Sequence, residues 1–297
     1  MPPPQIDDPR FEALLKPEAT LERLWTGAVW SEGPVYLPQE QAVVWSDIPN
    51  DRMLRWSAER GGEVWRAPSE YVNGNVLDLE GRILHCSHGA RALQRTEPDG
   101  SVTTLVDAWE GKRLNSPNDV VVRSDGTIWF TDPPYGILSD VEGHKADSEI
   151  GTCLVFRFDP GTGALEPVIE DVEHPNGIAF SPDEARLYVS DTGGDEGVIR
   201  VWDVVEGGAR LTGGDVFAHV APGISDGFRV DVEGNVWTSS LDSVQVFDPD
   251  GVRLGKLFVP EKVGNVCFGG PEGTRLFVAG STSLYAIDVG IRGATAR

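Results

Sequence analysis

A recurring strand constrains this chain more than any other feature. Six short apolar runs, most of them closed by a small or acidic residue, repeat along it: Val43-Val44-Trp45-Ser46-Asp47, Ile83-Leu84-His85-Cys86-Ser87, Ile128-Trp129-Phe130-Thr131-Asp132, Leu187-Tyr188-Val189-Ser190-Asp191, Val236-Trp237-Thr238-Ser239-Ser240 and Leu276-Phe277-Val278-Ala279-Gly280. Measured at the closing residue, the steps are 40, 45, 59, 49 and 40 residues. A period of about 47 residues fits one four-stranded antiparallel sheet per repeat, and sheet modules at that period build a β-propeller. The expected fold is therefore all-β: a six-bladed β-propeller with four-stranded blades. The long third step places an insertion at residues 133–151. Turn signals between the runs, such as Pro98-Asp99-Gly100 and Pro249-Asp250-Gly251, agree with short strands. The last blade is one strand short, and residues 20–25 form an otherwise unassigned strand that would complete it and close the ring. Residues 1–19, with a helix-like patch over 9–19, are set apart as an N-terminal extension, and residues 20–297 read as one domain.

Charge narrows the partners. With 25 Lys and Arg against 47 Asp and Glu, the net charge is −22, so a phosphate backbone or an anionic membrane would be repelled. No run approaches the ~20 apolar residues of a membrane span. The first residues lack the basic start and apolar stretch of a signal peptide. The three cysteines, Cys86, Cys153 and Cys267, are scattered without a CxxC spacing. These features set the expectation of a cytoplasmic protein with no nucleic-acid and no membrane partner; they leave the oligomeric state open.

A propeller does not name a function, so the argument passes to the mouth of its channel. Fourteen or fifteen positions before each closing residue, where the innermost strand of each blade begins, stand Glu32, Asn73, Asn118, Asn176, Asp226 and Asn265. Asn or Asp before Gly is ordinary turn chemistry at any one of these places. Six carboxylates and amides in one register, aimed at one axis, suit a hard divalent cation such as Ca²⁺, Mg²⁺ or Mn²⁺. Glu32 and Asp226 would balance its charge.

The motifs Ser31-Glu32-Gly33-Pro34, Leu114-Asn115-Ser116-Pro117-Asn118-Asp119, Trp129-Phe130-Thr131-Asp132-Pro133, His174-Pro175-Asn176-Gly177, Leu187-Tyr188-Val189-Ser190-Asp191-Thr192 and Ser225-Asp226-Gly227-Phe228-Arg229-Val230-Asp231 resemble the SMP-30/gluconolactonase/LRE-like family, in order and one per blade. Segments such as His85-Cys86-Ser87-His88 and Glu142-Gly143-His144-Lys145 bring the likeness nearest to its bacterial gluconolactonase-like members. The resemblance implies a six-bladed propeller with one divalent metal in the channel and sugar lactonase activity. It implies Glu32, Asn176 and Asp226 as metal ligands, and Asn118 as a further ligand or substrate contact. Ca²⁺ is the foremost candidate, with Mg²⁺, Mn²⁺, Zn²⁺ and Fe²⁺ as the others. The expected reaction is hydrolysis of a small, uncharged sugar lactone, with Asp226 as general base and Asn118, Arg113, His88 and Tyr135 holding the sugar hydroxyls. The alternatives are a metal-dependent esterase or phosphotriesterase of the same fold, and a non-catalytic binding propeller.

Other signals compete less well. Gly223-Ile224-Ser225-Asp226-Gly227 matches the GxSxG nucleophile elbow, but that motif needs a helix after the serine and a later histidine partner. The segment after Gly227 reads as a strand. His85 and His88 sit three apart on a strand and face opposite ways, which separates His85, a sheet residue, from His88 at the rim. His144 and Lys145 fall in the insertion, which reads as a solvated loop, with a lid over the site as the alternative.

Overall fold

In the computed structural model, which describes residues 2–194 and 197–294, six antiparallel sheets follow one another around an axis. Blade one comprises Ser31–Leu37, Ala42–Asp47, Arg52–Ser57 and Gly61–Arg66. Blade two comprises Val72–Leu77, Ile83–Ser87, Ala92–Thr96 and Val102–Val106, and blade three Val120–Val122, Ile128–Asp132, Leu154–Asp159 and Ala164–Ile169. Blade four is built from Pro175–Phe180, Arg186–Asp191, Val198–Val205 and Arg210–His219, and blade five from Phe228–Val230, Val236–Thr238, Ser243–Phe247 and Arg253–Phe258. Blade six takes Val263–Gly269, Arg275–Gly280 and Ser283–Asp288 from one end of the described chain and Glu22–Thr26 from the other, with Arg23 opposite Tyr285. The fold is the expected six-bladed propeller, and the early strand completes the last blade.

The second strands are buried along most of their length because the blades are stacked face to face. Ala42–Asp47 and Ile128–Asp132 are buried at every position, since each strand packs against a neighbouring blade on either side. Six hydrophobic clusters result among the described residues, one at each blade–blade interface. Trp45, Trp129, Trp237, Tyr188 and Phe277 of the second strands belong to four of these clusters, all at most 2% exposed.

The described residues 2–19 do not stand apart from the ring. Gln5–Ile6 pairs with Arg253–Phe258 as a fifth strand on blade five, and Asp7 forms an ion pair with Arg253. The helical patch shrinks to Arg10–Ala13, which carries Phe11, fully buried, into the cluster between blades five and six.

The insertion leaves blade three after Asp132, forms a single helical turn at Tyr135–Leu138 and returns at Leu154. It is packed onto the neighbouring blades. His88 of blade two donates from Nδ1 to the Glu142 carbonyl at 3.0 Å, His144 meets the Tyr71 ring edge-on at 5.3 Å, and the Tyr135 hydroxyl pairs with Thr192 of blade four.

Candidate functional site

The inner strands begin irregularly, and this aims their first side chains into the channel. A register shift separates Glu32 from Val35, Val72 from Asn75, Pro175 from Ile178 and Val263 from Asn265. Such a bulge adds a residue to one strand and re-directs the side chain that it carries.

Each strand start is then tied to the next around the axis. Ser46 Oγ donates to the Asn73 carbonyl at 2.7 Å, and Gly74 N–H to that of Asn118 at 2.8 Å. Thr131 Oγ1 donates to the Asn176 carbonyl at 2.7 Å, Gly177 N–H to that of Asp226 at 3.0 Å and Gly227 N–H to that of Gly264 at 2.8 Å. Ser31 N–H closes the circuit on the Ser281 carbonyl at 3.0 Å. The strands approach so closely that a Cβ on Gly264 would sit 2.4 Å from Glu32 Oε1. Only glycine leaves room there for the carboxylate.

The acidic residues that close the second strands brace the loops entering this ring. Asp47 accepts from the N–H of Val29 at 2.9 Å, Asp132 from those of Asn115 and Ser116 at 2.8 Å, and Asp191 from that of His174 at 3.0 Å. The repeat that reveals the fold is thus also the scaffold of the site.

Two of the ring's side chains are carboxylates that face a common space. Glu32 is 3% exposed, and burial followed by the charge of Asp226 raises its carboxyl well above the ordinary range. Asp226 is half-buried, and burial pushes its carboxyl up to about 7, against the opposing field of Lys262 and the amide of Asn176. Glu32 Oε2 accepts from Gly33 N–H at 3.1 Å, whereas Glu32 Oε1 is buried without a hydrogen-bond partner. A carboxylate oxygen in that state is costly unless something cationic meets it. No three His, Cys, Asp or Glu side chains cluster as a metal site among the described residues. A cation here would therefore be held by two carboxylates and by amide oxygens, a donor set that suits hard ions.

The other residues singled out from the sequence fall in different places. Asn176 and Asn265 approach the carboxylates, each favouring the ionised form of its neighbour, Asp226 and Glu32 respectively. Asn118 is 4% exposed at its ring position, and its amide makes no hydrogen bond to a described residue. Tyr135 reaches the ring from the insertion, close enough to sense Asn176 and Asp226, and burial raises its hydroxyl to about 12. Asn73 turns sideways, its Nδ2 donating to His88 Nε2 at 3.3 Å. His88 is only 1% exposed and tied at both nitrogens, so it docks the insertion and does not line an open rim. Arg113 lies in an exposed two-stranded ribbon, Ala108–Trp109 with Lys112–Arg113, and donates to the Ala90 carbonyl at 3.1 Å. His85 is fully buried between Asn75 and Thr96. Ser225, 1% exposed, bonds to the hydroxyls of Ser190 at 2.5 Å and Thr238 at 2.7 Å, and the strand Phe228–Val230 follows it. Among the described residues no base hydrogen-bonds its hydroxyl, and no elbow forms. Of the insertion's pair, His144 is held against Tyr71, and Lys145 is exposed with its N–H donating to Asp140 Oδ1 at 2.8 Å.

Residues 30–282 match the model of the SMP-30/gluconolactonase/LRE-like region. The chain belongs to the SMP-30/gluconolactonase/LRE-like family. It is 30% identical over 302 residues to a gluconolactonase of Zymomonas mobilis, covering 94% of this chain and 84% of that one. It is 28% identical to a pentonolactonase of Haloferax volcanii, over 83% of this chain and 80% of the relative. A solved structure of a gluconolactonase from Xanthomonas campestris superposes with a TM-score of 0.92 at 39% identity, covering 97% of this chain and 95% of that one.

Two features of this family member escaped the sequence argument. The residue after the ring position is Gly33, Gly74, Gly177 and Gly227 in four blades, Val266 in blade six, and the charged Asp119 in blade three. Asp119 forms a buried ion pair with Arg229 at 3.1 Å, and its charge raises the carboxyls of both Glu32 and Asp226 while Arg229 opposes it. The break in the glycine pattern was the available signal. The second feature is a collar two residues before the ring. Trp30, Tyr71 and His174 occupy that register. Each is engaged from outside its own blade, by Lys262, His144 and Tyr135 respectively.

Proposed function

We propose that the chain is a hydrolase of sugar lactones whose site is the Glu32–Asp226 carboxylate pair at the channel mouth. The observation that carries this is the buried, unpartnered Glu32 Oε1 facing a second carboxylate. Its support from outside is the likeness to gluconolactonases along nearly the whole chain. Glu32, Asn176 and Asp226, with Asn118, would hold one divalent cation, Ca²⁺ foremost. When bound, the cation supplies Lewis acidity at the lactone carbonyl.

The chain's own residues do the rest. Asp226, half-buried at the channel mouth, accepts a proton from the water that attacks the carbonyl carbon. The ring C–O bond breaks, and the proton taken up by Asp226 leaves with the ring oxygen as a hydroxyl, so one lactone and one water give one aldonic acid. Asn118 and the Tyr135 hydroxyl present hydrogen-bonding groups to the substrate oxygens. The docked insertion limits solvent above them.

The test is hydrolysis of glucono-1,5-lactone, followed by pH-stat against the spontaneous rate, after chelation and after return of Ca²⁺, Mg²⁺, Mn²⁺, Zn²⁺ or Fe²⁺ singly. Loss on chelation and recovery with a cation support the proposal. Turnover indifferent to chelator, turnover only on carboxylic esters or phosphotriesters, or no turnover at all would overturn it.

A further inference from the structure

The collar contains a cation that the reaction does not yet use. Lys262 immediately precedes the inner strand Val263–Gly269 of blade six, and Trp30 immediately precedes Ser31–Leu37 of blade one. The Lys262 ammonium sits 4.8 Å from the centre of the Trp30 ring. Its backbone is pinned, because its carbonyl accepts from Ser281 N–H at 2.9 Å and from Ser281 Oγ at 3.0 Å. Trp30 is half-buried and joins none of the six core clusters, so its ring is not committed to holding blades together.

The ammonium makes no hydrogen bond to a described residue. An ammonium carries three N–H donors and no acceptor, so all three are available to a ligand at the mouth. The channel's other cation, the half-buried Arg229, is already engaged by Asp119 and by the Phe228 carbonyl at 2.7 Å. Lys262 also lies near enough to the site for its field to reach both Asp226 and Glu142, which places it between the ring and the insertion.

We infer that Lys262, held over Trp30, is a specificity-determining residue that binds the hydroxyl oxygens of the substrate and so selects polyhydroxylated lactones over bare ones. This rests on the lactonase proposal above. A sugar lactone is uncharged and rich in acceptor oxygens, and a charged donor makes the stronger kind of hydrogen bond to them. A lactone without hydroxyls offers the ammonium nothing to bind. The reacting carbonyl belongs to the ring of carboxylates below, so the role of Lys262 is selection and not chemistry.

The experiment compares glucono-1,5-lactone with δ-valerolactone, on the full chain at saturating Ca²⁺, for the wild type, Lys262→Met and Lys262→Arg. Lys262 is exposed, so an unchanged melting temperature is expected and is checked. In Lys262→Met the ratio of kcat/KM for the sugar lactone to that for δ-valerolactone should fall roughly ten- to hundredfold, through KM, the size of one charged hydrogen bond. Lys262→Arg should restore most of the ratio. Equal losses on both lactones, or no loss on either, would overturn the role of Lys262 and leave the lactonase proposal standing. A wild type that hydrolyses neither lactone would overturn both.

Discussion

In the proposed site Asp226 has two tasks, ligand and base, which Asp226→Asn assayed at saturating metal tells apart. As a ligand it would contribute charge, and as a base a proton acceptor. Asp226→Asn keeps an oxygen at the site but removes both charge and basicity. Turnover should fall by ~10²- to 10⁴-fold, the usual contribution of general-base catalysis, and should stay low when the metal is saturating. Recovery of full kcat under those conditions would reduce Asp226 to a ligand. Ser225→Ala should keep most of the activity, because the Ser225 hydroxyl only links Ser190 to Thr238; a dead variant would revive the nucleophile elbow. The ring residues were legible because an inner strand must start at a fixed distance before the second strand ends. Asp119 and Arg229 were not, because their pairing spans 110 residues across the channel, a relation that no local spacing encodes.

One of the insertion's fastenings is a neutral histidine ring. His88 links Asn73 to the Glu142 carbonyl in a form that needs a proton on Nδ1 and none on Nε2. Burial accordingly drives its pKa from 6.5 down to about 4. The sign follows from linkage: the unfolded chain takes up this proton below pH 6.5, while the folded chain resists until about pH 4. The stability contributed by neutral His88 is complete above pH 6.5 and is lost as pH falls toward 4, by about 3 kcal/mol at most. In urea titrations, the advantage of the wild type over His88→Gln should therefore shrink between pH 7 and pH 4.5. A gap that stays constant would mean that His88 is not held neutral. Strand alternation placed this histidine on the rim because the strand was read past its end. Ile83–Ser87 stops one residue earlier, and His88 turns inward beneath the insertion. The closing strand of blade six was easier to foresee, since a blade short of one strand requires a partner, whereas two residues of extra edge at Gln5–Ile6 answer no such requirement.

The first residues of the described chain nevertheless matter to the whole ring. Phe11 is fully buried, with its ring 6.4 Å from that of Trp237. Phe11→Ala should cost about 3–5 kcal/mol, as for a large aromatic removed from a packed interface, and leave kcat unchanged, because Phe11 touches no site residue. Calorimetry and a lactone assay on one preparation check both halves; a small stability loss would return residues 1–19 to the status of an appendage. The closure of blade six carries a consequence of a different kind, one of timing. Thr26 and Ser283 share a hydrogen bond across 257 residues of chain. At ~5–20 residues per second of synthesis, the first of the two strands waits some tens of seconds on the ribosome before its neighbour exists. Throughout that wait the ring is an open arc with two bare sheet faces, and the strand Glu22–Thr26 is a loose edge available to any other nascent chain. The ring therefore closes only if Glu22–Thr26 is still free to pair when Ser283–Asp288 has been made.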